Sequence, residues 1–297
     1  MKKLYKTLMI VNLEAGKGDF ENQLSFVVME LKNNGFDVTI KYTERDFGAD
    51  KIIEQYKLEY DLLIICGGDG TLNQAVTALT KLNKKVSVSF IPIGATNDFA
   101  RTLKLPRKGV TIAQNIINSK ALKTDTGIFN DKYFNYVVAF GVFAEVTSGI
   151  EESKKSSGVF SYILNCIKQI FKARSYKIKI HFDNEIIEDE FIYIGISNSL
   201  SIGGLKWFKP EEISLSDGRL EVILIKKPKN IFGYLEIIKS ILTKDYSKDR
   251  NIIYSQDESL KIESEDSIEW TIDGEAAGAY TNIEISNISK NMEFLVM

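Results

Sequence analysis

Gly67-Gly68-Asp69-Gly70-Thr71 has the residue types and the setting of a phosphate-binding turn, because it follows a buried-strand signal at 62–66 and leads into a helix-like run. Glycine adopts positive φ without penalty and lets a ligand approach the main chain, so successive N–H groups converge on an anion at a helix N-terminus. Thr71 is expected to cap that helix, and Asp69 brings a carboxylate to where a metal-bound phosphate would sit. A tight βα turn with an incidental Asp gives the same letters, so other clusters must decide.

Four further clusters stand out. Asn12-Leu13-Glu14-Ala15-Gly16-Lys17-Gly18 follows the first strand signal and forms a second candidate phosphate turn. It is not a P-loop, since Val11 and Gly18 stand where that pattern needs a glycine and a Ser or Thr. Gly68-x-Gly70-x-x-Asn73 likewise lacks the third glycine of a dinucleotide fingerprint. The segment from Pro92 to Arg101 (Pro-Ile-Gly-Ala-Thr-Asn-Asp-Phe-Ala-Arg) also follows a strand and opens a helix-like run. In a parallel sheet this turn neighbours Gly68, Asp98 complements Asp69 as a second carboxylate, and Asn97 serves as a cap or ribose contact. Farther on, Asp217-Gly218 and Asp273-Gly274-Glu275 in isolation read as hairpin turns.

Composition narrows the chemistry. His181 is the single histidine of 297 residues and lies in a strand-like run, which removes Ser-His-Asp triads and His-rich metal sites. Carboxylates, backbone and a metal are left to act. Cys66 and Cys166 sit in apolar runs without metal-ligand spacing and read as reduced core residues of a reducing compartment. Lys+Arg 38 against Asp+Glu 40 gives a net charge of −2, so no basic field gathers nucleic acid and any anion must be bound locally. The apolar run 8–11 is too short for a signal peptide and no segment reaches membrane-span length, so a cytoplasmic protein is expected.

The elements that must position these residues fall into two patterns. Residues 7–125 alternate strand and helix signals: strands at 8–11, 37–42, 62–66 and 86–92, helices at 21–33, 49–56, 73–82, 97–103 and 110–119. This is a parallel sheet covered by helices. Paired strands follow, at 133–139, 177–182, 185–197, 220–226, 260–264, 268–272, 282–285 and 293–296. The fold class is therefore α/β in two domains. Residues 1–125 form the N-terminal nucleotide-binding domain and 126–287 a C-terminal β-rich domain of β-sandwich type. No linker composition separates them, which favours close packing with a cleft between. Amphipathic stretches at 159–173 and 231–246 read as helices packed on a sheet or, more sharply, as membrane-surface contacts.

Together these clusters resemble the diacylglycerol kinase catalytic family, in particular its soluble bacterial lipid kinases. The family pattern Asn-Pro-x-x-Gly, Gly-Gly-Asp-Gly-Thr-x-Asn-Glu, Pro-x-Gly-Thr-x-Asn-Asp-Phe-Ala-Arg, Asp-Gly and Asp-Gly-Glu is met in order by Asn12 to Gly16, Gly67 to Gln74, Pro92 to Arg101, Asp217-Gly218 and Asp273-Gly274-Glu275. The resemblance implies ATP held by Asn12, Gly16, Thr43, Gly68, Asp69, Gly70, Thr71, Gly94, Thr96 and Asn97. It implies Glu275 as the general base toward a lipid hydroxyl, and a Mg²⁺ held by Asp217 with main-chain oxygens near Ser214 and Arg219, linked through water to Asp69 and Asp98. Asp125 joins that network, and a strand at about 288–297 returns to the first domain. Leu13, Gln74 and Ala95 depart from the family's Pro, Glu and Thr.

The leading expectation is an ATP- and Mg²⁺-dependent kinase that phosphorylates a lipid hydroxyl, first diacylglycerol to phosphatidic acid with a sphingoid base or phosphatidylglycerol as other acceptors, peripherally bound to the inner face of the cell membrane, with a homodimer left open. A nicotinamide-dinucleotide kinase shares the Gly-Gly-Asp-Gly-Thr motif and is the nearest alternative. A non-catalytic nucleotide- or lipid-binding protein is the other, motivated by Ala95 and Gln74. Lys206-Trp207-Phe208-Lys209 is a candidate membrane contact, against a reading in which both rings close the core.

Overall fold

The structure, a computed structural model, describes residues 4–15, 20–56, 59–94, 97–106, 109–141, 173–183, 185–202, 205–209, 211 and 213–297. The chain divides into two compact units, Met1–Asp125 with Lys290–Met297, and Thr126–Ser289.

The first unit is built on strands β1 (Tyr5–Val11), β2 (Phe36–Tyr42), β3 (Leu62–Gly67) and β4 (Ser87–Pro92), with helices α1 (Phe20–Asn33), α2 (Ala49–Tyr56), α3 (Asp69–Lys81), α4 (Asp98–Thr102) and α5 (Gly109–Ile117). β1 pairs in parallel with β2 and β3, and β3 with β4, so that Leu8 lies beside Leu63 and Leu63 beside Val88. β3 is buried at every residue, as a central parallel strand covered on both faces must be. Alternate side chains Met9, Val11, Leu62, Ile64 and Cys66 join Leu24, Val27 and Leu31 of α1 and Ile112 and Ile116 of α5 in one core. Burial pushes the Cys66 thiol up, which keeps it an inert core residue. Cys166 lies outside the described residues.

α3 begins at Asp69, four residues before the expected start, with Gly68 as its extended N-cap and no side-chain cap. Thr71 is therefore the third residue of the helix and not its cap. Gln74 on the next turn accepts a hydrogen bond from the amide of Ala49, the first residue of α2, at 3.1 Å. The position where Gln replaces the family's Glu is thus a cap donated by one helix to its neighbour.

The second unit is antiparallel. After β5 (Lys120–Phe129), whose early residues belong to the first unit, come β6 (Lys132–Phe134), β7 (Val137–Gly141), β8 (Tyr176–His181), β9 (Ile186–Ser197), the short pair β10 (Ser201–Ile202) and β11 (Leu205–Lys206), β12 (Leu220–Lys226), helix α6 (Ile231–Thr243), β13 (Ile252–Asp257), β14 (Leu260–Ile272) and β15 (Glu275–Val296). The long strands each serve two neighbours. β9 pairs with β8 through Ile186 to Phe191 and with β7 through Tyr193 to Ser197, while β14 meets β8 at Lys261 to Ser264 and β7 at Thr271 and Ile272. The sheet closes over a core of Phe129, Phe134, Phe140, Ile194, Trp270 and Ile283, a sandwich with interdigitated inner faces.

Five expected strand runs are interrupted or merged for identifiable reasons. The run 133–139 breaks between β6 and β7 because the buried Asp273 carboxylate accepts the amides of Asn135, Tyr136 and Val137 at 2.8, 3.0 and 3.1 Å, removing them from any ladder. The separate runs 260–264 and 268–272 are one strand whose register against β15 shifts between Glu263 and Ile268. The runs 282–285 and 293–296 likewise belong to a single β15, in which Glu293 and Phe294 pair in parallel with β4. That strand returns the chain to the first unit, where Phe294 meets Phe99 of α4 edge-on with ring centroids 5.1 Å apart.

The proposed aromatic membrane contact is overturned. Trp207 and Phe208 are fully buried. Trp207 stacks on Tyr193 at 5.4 Å and donates its Nε1–H to the Ile202 carbonyl, and Phe208 packs on Tyr254. The two rings hold the β9–β13 face together. The 231–246 stretch is α6, capped by Asn230, whose side chain accepts from the Gly233 amide at 3.1 Å. The 159–173 stretch lies outside the described residues apart from Ala173.

Two stability changes follow from these contacts. Asp273→Ala leaves buried amides without an acceptor and should lower the unfolding free energy in urea by about 3 kcal/mol. Gln74→Ala should cost about 1 kcal/mol, whereas Gln74→Glu keeps the acceptor and adds charge at the N-terminus of α2, so stability should be equal or slightly higher. Equal losses for both variants would remove the capping role.

Candidate functional site

In the first unit the chemistry-bearing residues gather at the carboxyl ends of the parallel strands, where ligands of open α/β sheets bind. Asn12 follows β1 and Thr43 follows β2, and the Thr43 amide donates to the Val11 carbonyl at 3.0 Å. Gly68 and Gly94 follow β3 and β4. The turns after β3 and β4 interlock: the Gly67 carbonyl accepts from the amides of Ile93 and Gly94 at 3.0 and 3.2 Å. A Cβ on Gly94 would stand 2.5 Å from the Gly68 Cα and 2.9 Å from Asn97 Oδ1, so glycine at 94 is a steric requirement of this approach.

The side chains around the turn fasten it. Asn12 Nδ2 donates to Thr71 Oγ1 at 2.9 Å while its Oδ1 accepts from the Glu14 amide, so Asn12 ties the end of β1 to the first turn of α3. Asp69 Oδ2 accepts from the Asp98 amide at 3.1 Å, joining the start of α3 to the start of α4. The Asp98 carboxylate is buried, with Arg101 at 3.7 Å. Asn97, at φ 49°, donates its Nδ2–H to the Gly94 carbonyl, and its buried Oδ1 has no donor among the described residues. It stands at the start of α4 but makes no side-chain cap bond, so only the cap half of its expectation is corrected.

These bonds fix the main chain at the start of α3. Gly70 and Thr71 are the second and third residues of the helix, positions whose N–H groups have no acceptor within an α-helix, and the macrodipole adds positive potential there. The arrangement can hold an anionic phosphate by main chain. Gly16 and Thr96 lie outside the described residues, as does Ala95. The fastening roles of Asn12, Asp69 and Gln74 were missed from the sequence; the one available signal for Gln74 was the helix start at Ala49 with no Ser, Thr, Asp or Asn before it.

The second unit presents its acids on two turns. Asp217 is exposed in the loop before β12, where its Oδ1 accepts from the Arg219 amide at 3.1 Å, and Ser214 Oγ accepts from the Ser216 amide at 3.4 Å. One carboxylate and neighbouring carbonyls are hard oxygen donors, a set that fits Mg²⁺ with water completing its shell. Among the described residues no group of three or more His, Cys, Asp or Glu side chains could hold a metal, so a cation at Asp217 would depend on main chain and water. Asp273 and Gly274 are both at positive φ, 49° and 85°, the geometry of a type I′ hairpin turn between β14 and β15. Within this motif the two acids divide their work. Asp273 is buried and engaged by backbone amides, while Glu275, the first residue of β15, is exposed.

Residues 6–129 match the family model "Diacylglycerol kinase catalytic domain", and residues 136–286 match "YegS C-terminal NAD kinase beta sandwich-like domain". Among curated relatives, the diacylglycerol kinase of Bacillus subtilis (strain 168) is 28% identical over 91% of this chain and 89% of its own length. That of Staphylococcus haemolyticus (strain JCSC1435) is 29% identical over 91% of this chain and 82% of its own. A solved structure of a diacylglycerol kinase from Bacillus anthracis str. Sterne superposes with a TM-score of 0.79 at 23% identity, over 100% of this chain and 98% of that one, which shows the fold. A further chain from the same organism reaches 0.83 at 26% identity over 100% and 99%. With both halves matched in order, this chain belongs to the diacylglycerol kinase catalytic family, carrying that family's catalytic domain followed by a YegS-type C-terminal domain.

Proposed function

We propose that the protein is a lipid kinase that transfers the γ-phosphate of ATP to a lipid hydroxyl, with diacylglycerol as acceptor and phosphatidic acid as product. The observation that carries this reading is the interlocked pair of turns at Gly68 and Gly94, which sets the glycine-rich start of α3 at the end of β3 in a chain of this family. The named relatives are diacylglycerol kinases, which favours the same acceptor.

In this reading the amides of Gly70 and Thr71 meet the phosphates, and Asn97 Oδ1 accepts from a ligand hydroxyl or amine. Gly16, Thr43 and Thr96 complete the nucleotide contacts, as the family pattern implies. Glu275 takes the proton from the acceptor hydroxyl as the oxygen attacks phosphorus, and Asp69 and Asp98 act by holding the turn in position. Asp217 with the carbonyls of Ser214 and Arg219 would hold Mg²⁺, which when bound supplies neutralisation of phosphate charge. Phosphoryl transfer depends on in-line placement and charge stabilisation more than on covalent chemistry, which suits a site of backbone amides and one base. No helix among the described residues is long and apolar enough to cross a membrane. We place the enzyme in the cytoplasm, working at the inner membrane face, and leave a homodimer open.

The matched C-terminal model is described as NAD kinase-like, so NAD belongs in the acceptor panel as a second reading. Labelled γ-phosphate should pass to diacylglycerol in mixed micelles in a Mg²⁺-dependent way, and not to NAD, a sphingoid base or phosphatidylglycerol. Transfer to NAD alone would reverse the assignment. Glu275→Gln should lower turnover by about 10²- to 10⁴-fold with ATP affinity unchanged, the size expected for loss of a general base. An unimpaired variant removes Glu275 from that role. Gly94→Ala must push the two turns apart and should weaken ATP binding by about tenfold or more, read by calorimetry against a folded control.

A further inference from the structure

Helix α6 carries an apolar face that nothing among the described residues covers. Ile231, Phe232, Leu235 and Leu242 are 50%, 70%, 53% and 61% exposed, and Phe232 is the most exposed aromatic residue among those described. Ile231, Leu235 and Leu242 follow the spacing i, i+4, i+11, and the half-buried Ile238 at i+7 fills the same stripe. Ile237 and Ser240 are buried on the other side of the helix and fasten it to its own unit. Turning the helix to hide the stripe would therefore expose Ile237. The helix is also well fixed at its ends, by the Asn230 cap and by Lys244 in the left-handed conformation.

Charge around the stripe selects its occupant. From Lys229 to Lys244 the chain carries Lys229, Lys239 and Lys244 against the single acid Glu236. Lys229 precedes the cap, Lys239 lies one turn beyond Leu235, and Lys244 ends the helix, so cations flank the apolar stripe along its length. An apolar stripe bordered by lysines on a fixed helix matches the headgroup and acyl boundary of an anionic bilayer, into which such a helix buries its apolar side while the lysines reach the phosphates. A two-fold contact with a second copy would instead bring like-charged lysines together.

We propose that the exposed face of α6 is a docking surface for an anionic lipid bilayer, holding the protein on the surface that contains its acceptor. The proposal rests on the lipid-kinase reading for its purpose, and its test separates the two. Sedimentation of the full-length protein without nucleotide, with phosphatidylglycerol vesicles, should show binding at least about tenfold stronger than to phosphatidylcholine vesicles. Phe232→Ser combined with Leu235→Ser should weaken binding to the anionic vesicles by at least about tenfold, and Lys239→Glu by about fivefold, with melting unchanged because all three side chains are exposed. Transfer to a short-chain diacylglycerol dispersed below its micelle concentration needs no surface and should be retained by both variants.

Vesicle binding unaffected by both variants would overturn the proposal while leaving the kinase reading intact. So would a solution dimer that the double variant dissociates with vesicle binding unchanged. Vesicle binding lost in the variants, with no phosphoryl transfer by the parent protein to any lipid, would support the surface and sink the kinase reading.

Discussion

The contact between the turns after β3 and β4 governs the first unit. Because Gly94 lies against Gly68 with no room for a Cβ, and both Ile93 and Gly94 donate to the Gly67 carbonyl, the two strand ends cannot move independently. Asp69 extends the same coupling to the start of α4, and Asn12 extends it to the end of β1. A phosphate held by the α3 amides would therefore sense the packing of three strands. Asn12 and Asp69, which look chemical in the motif, both make hydrogen bonds that serve this alignment.

The second unit solves a similar problem differently. Its Asp-Gly-Glu sequence is at once a hairpin turn and a presentation device. The turn reading and the functional reading are compatible, because the buried Asp273 fixes the backbone of Asn135 to Val137 while Glu275, two residues on, stays exposed. Burying a carboxylate is costly unless it is hydrogen-bonded, and three backbone amides meet that condition. Those bonds fix the turn from which Glu275 leads into β15.

The parallel half was largely legible from sequence. Strands covered on both faces read as continuous apolar runs, and the helices between them carry a clear 3.6-residue period. The start of α3 was placed too late because Gly68 and Gly70 mask a helix whose N-cap makes no side-chain bond. The antiparallel half was less legible: β13 is half-buried along nearly its whole length and gives no alternation, and the joined β14 and β15 hide their continuity behind register shifts. Trp207 and Phe208 between lysines resembled a membrane wedge because flanking charge is local in sequence, whereas the Tyr193 and Tyr254 rings that bury them are not. Hydrogen bonds such as Asn12 to Thr71 and Ala49 to Gln74 join residues far apart in the chain and have no linear signature.

β15 has a bearing on how the molecule is made. The strand starts at Glu275 in the second unit and ends at Val296 in the first, where Glu293 and Phe294 flank β4 and Ser87 donates to the Glu293 carboxylate. The first unit to leave the ribosome is thus the last to be completed, since its sheet waits for residues made after all of the second unit. During synthesis the edge of β4 stands without its partner strand until residues after Ser289 have been made. A chain arrested before Lys290 would carry every glycine of the turns after β3 and β4 and still lack the strand that pairs with β4.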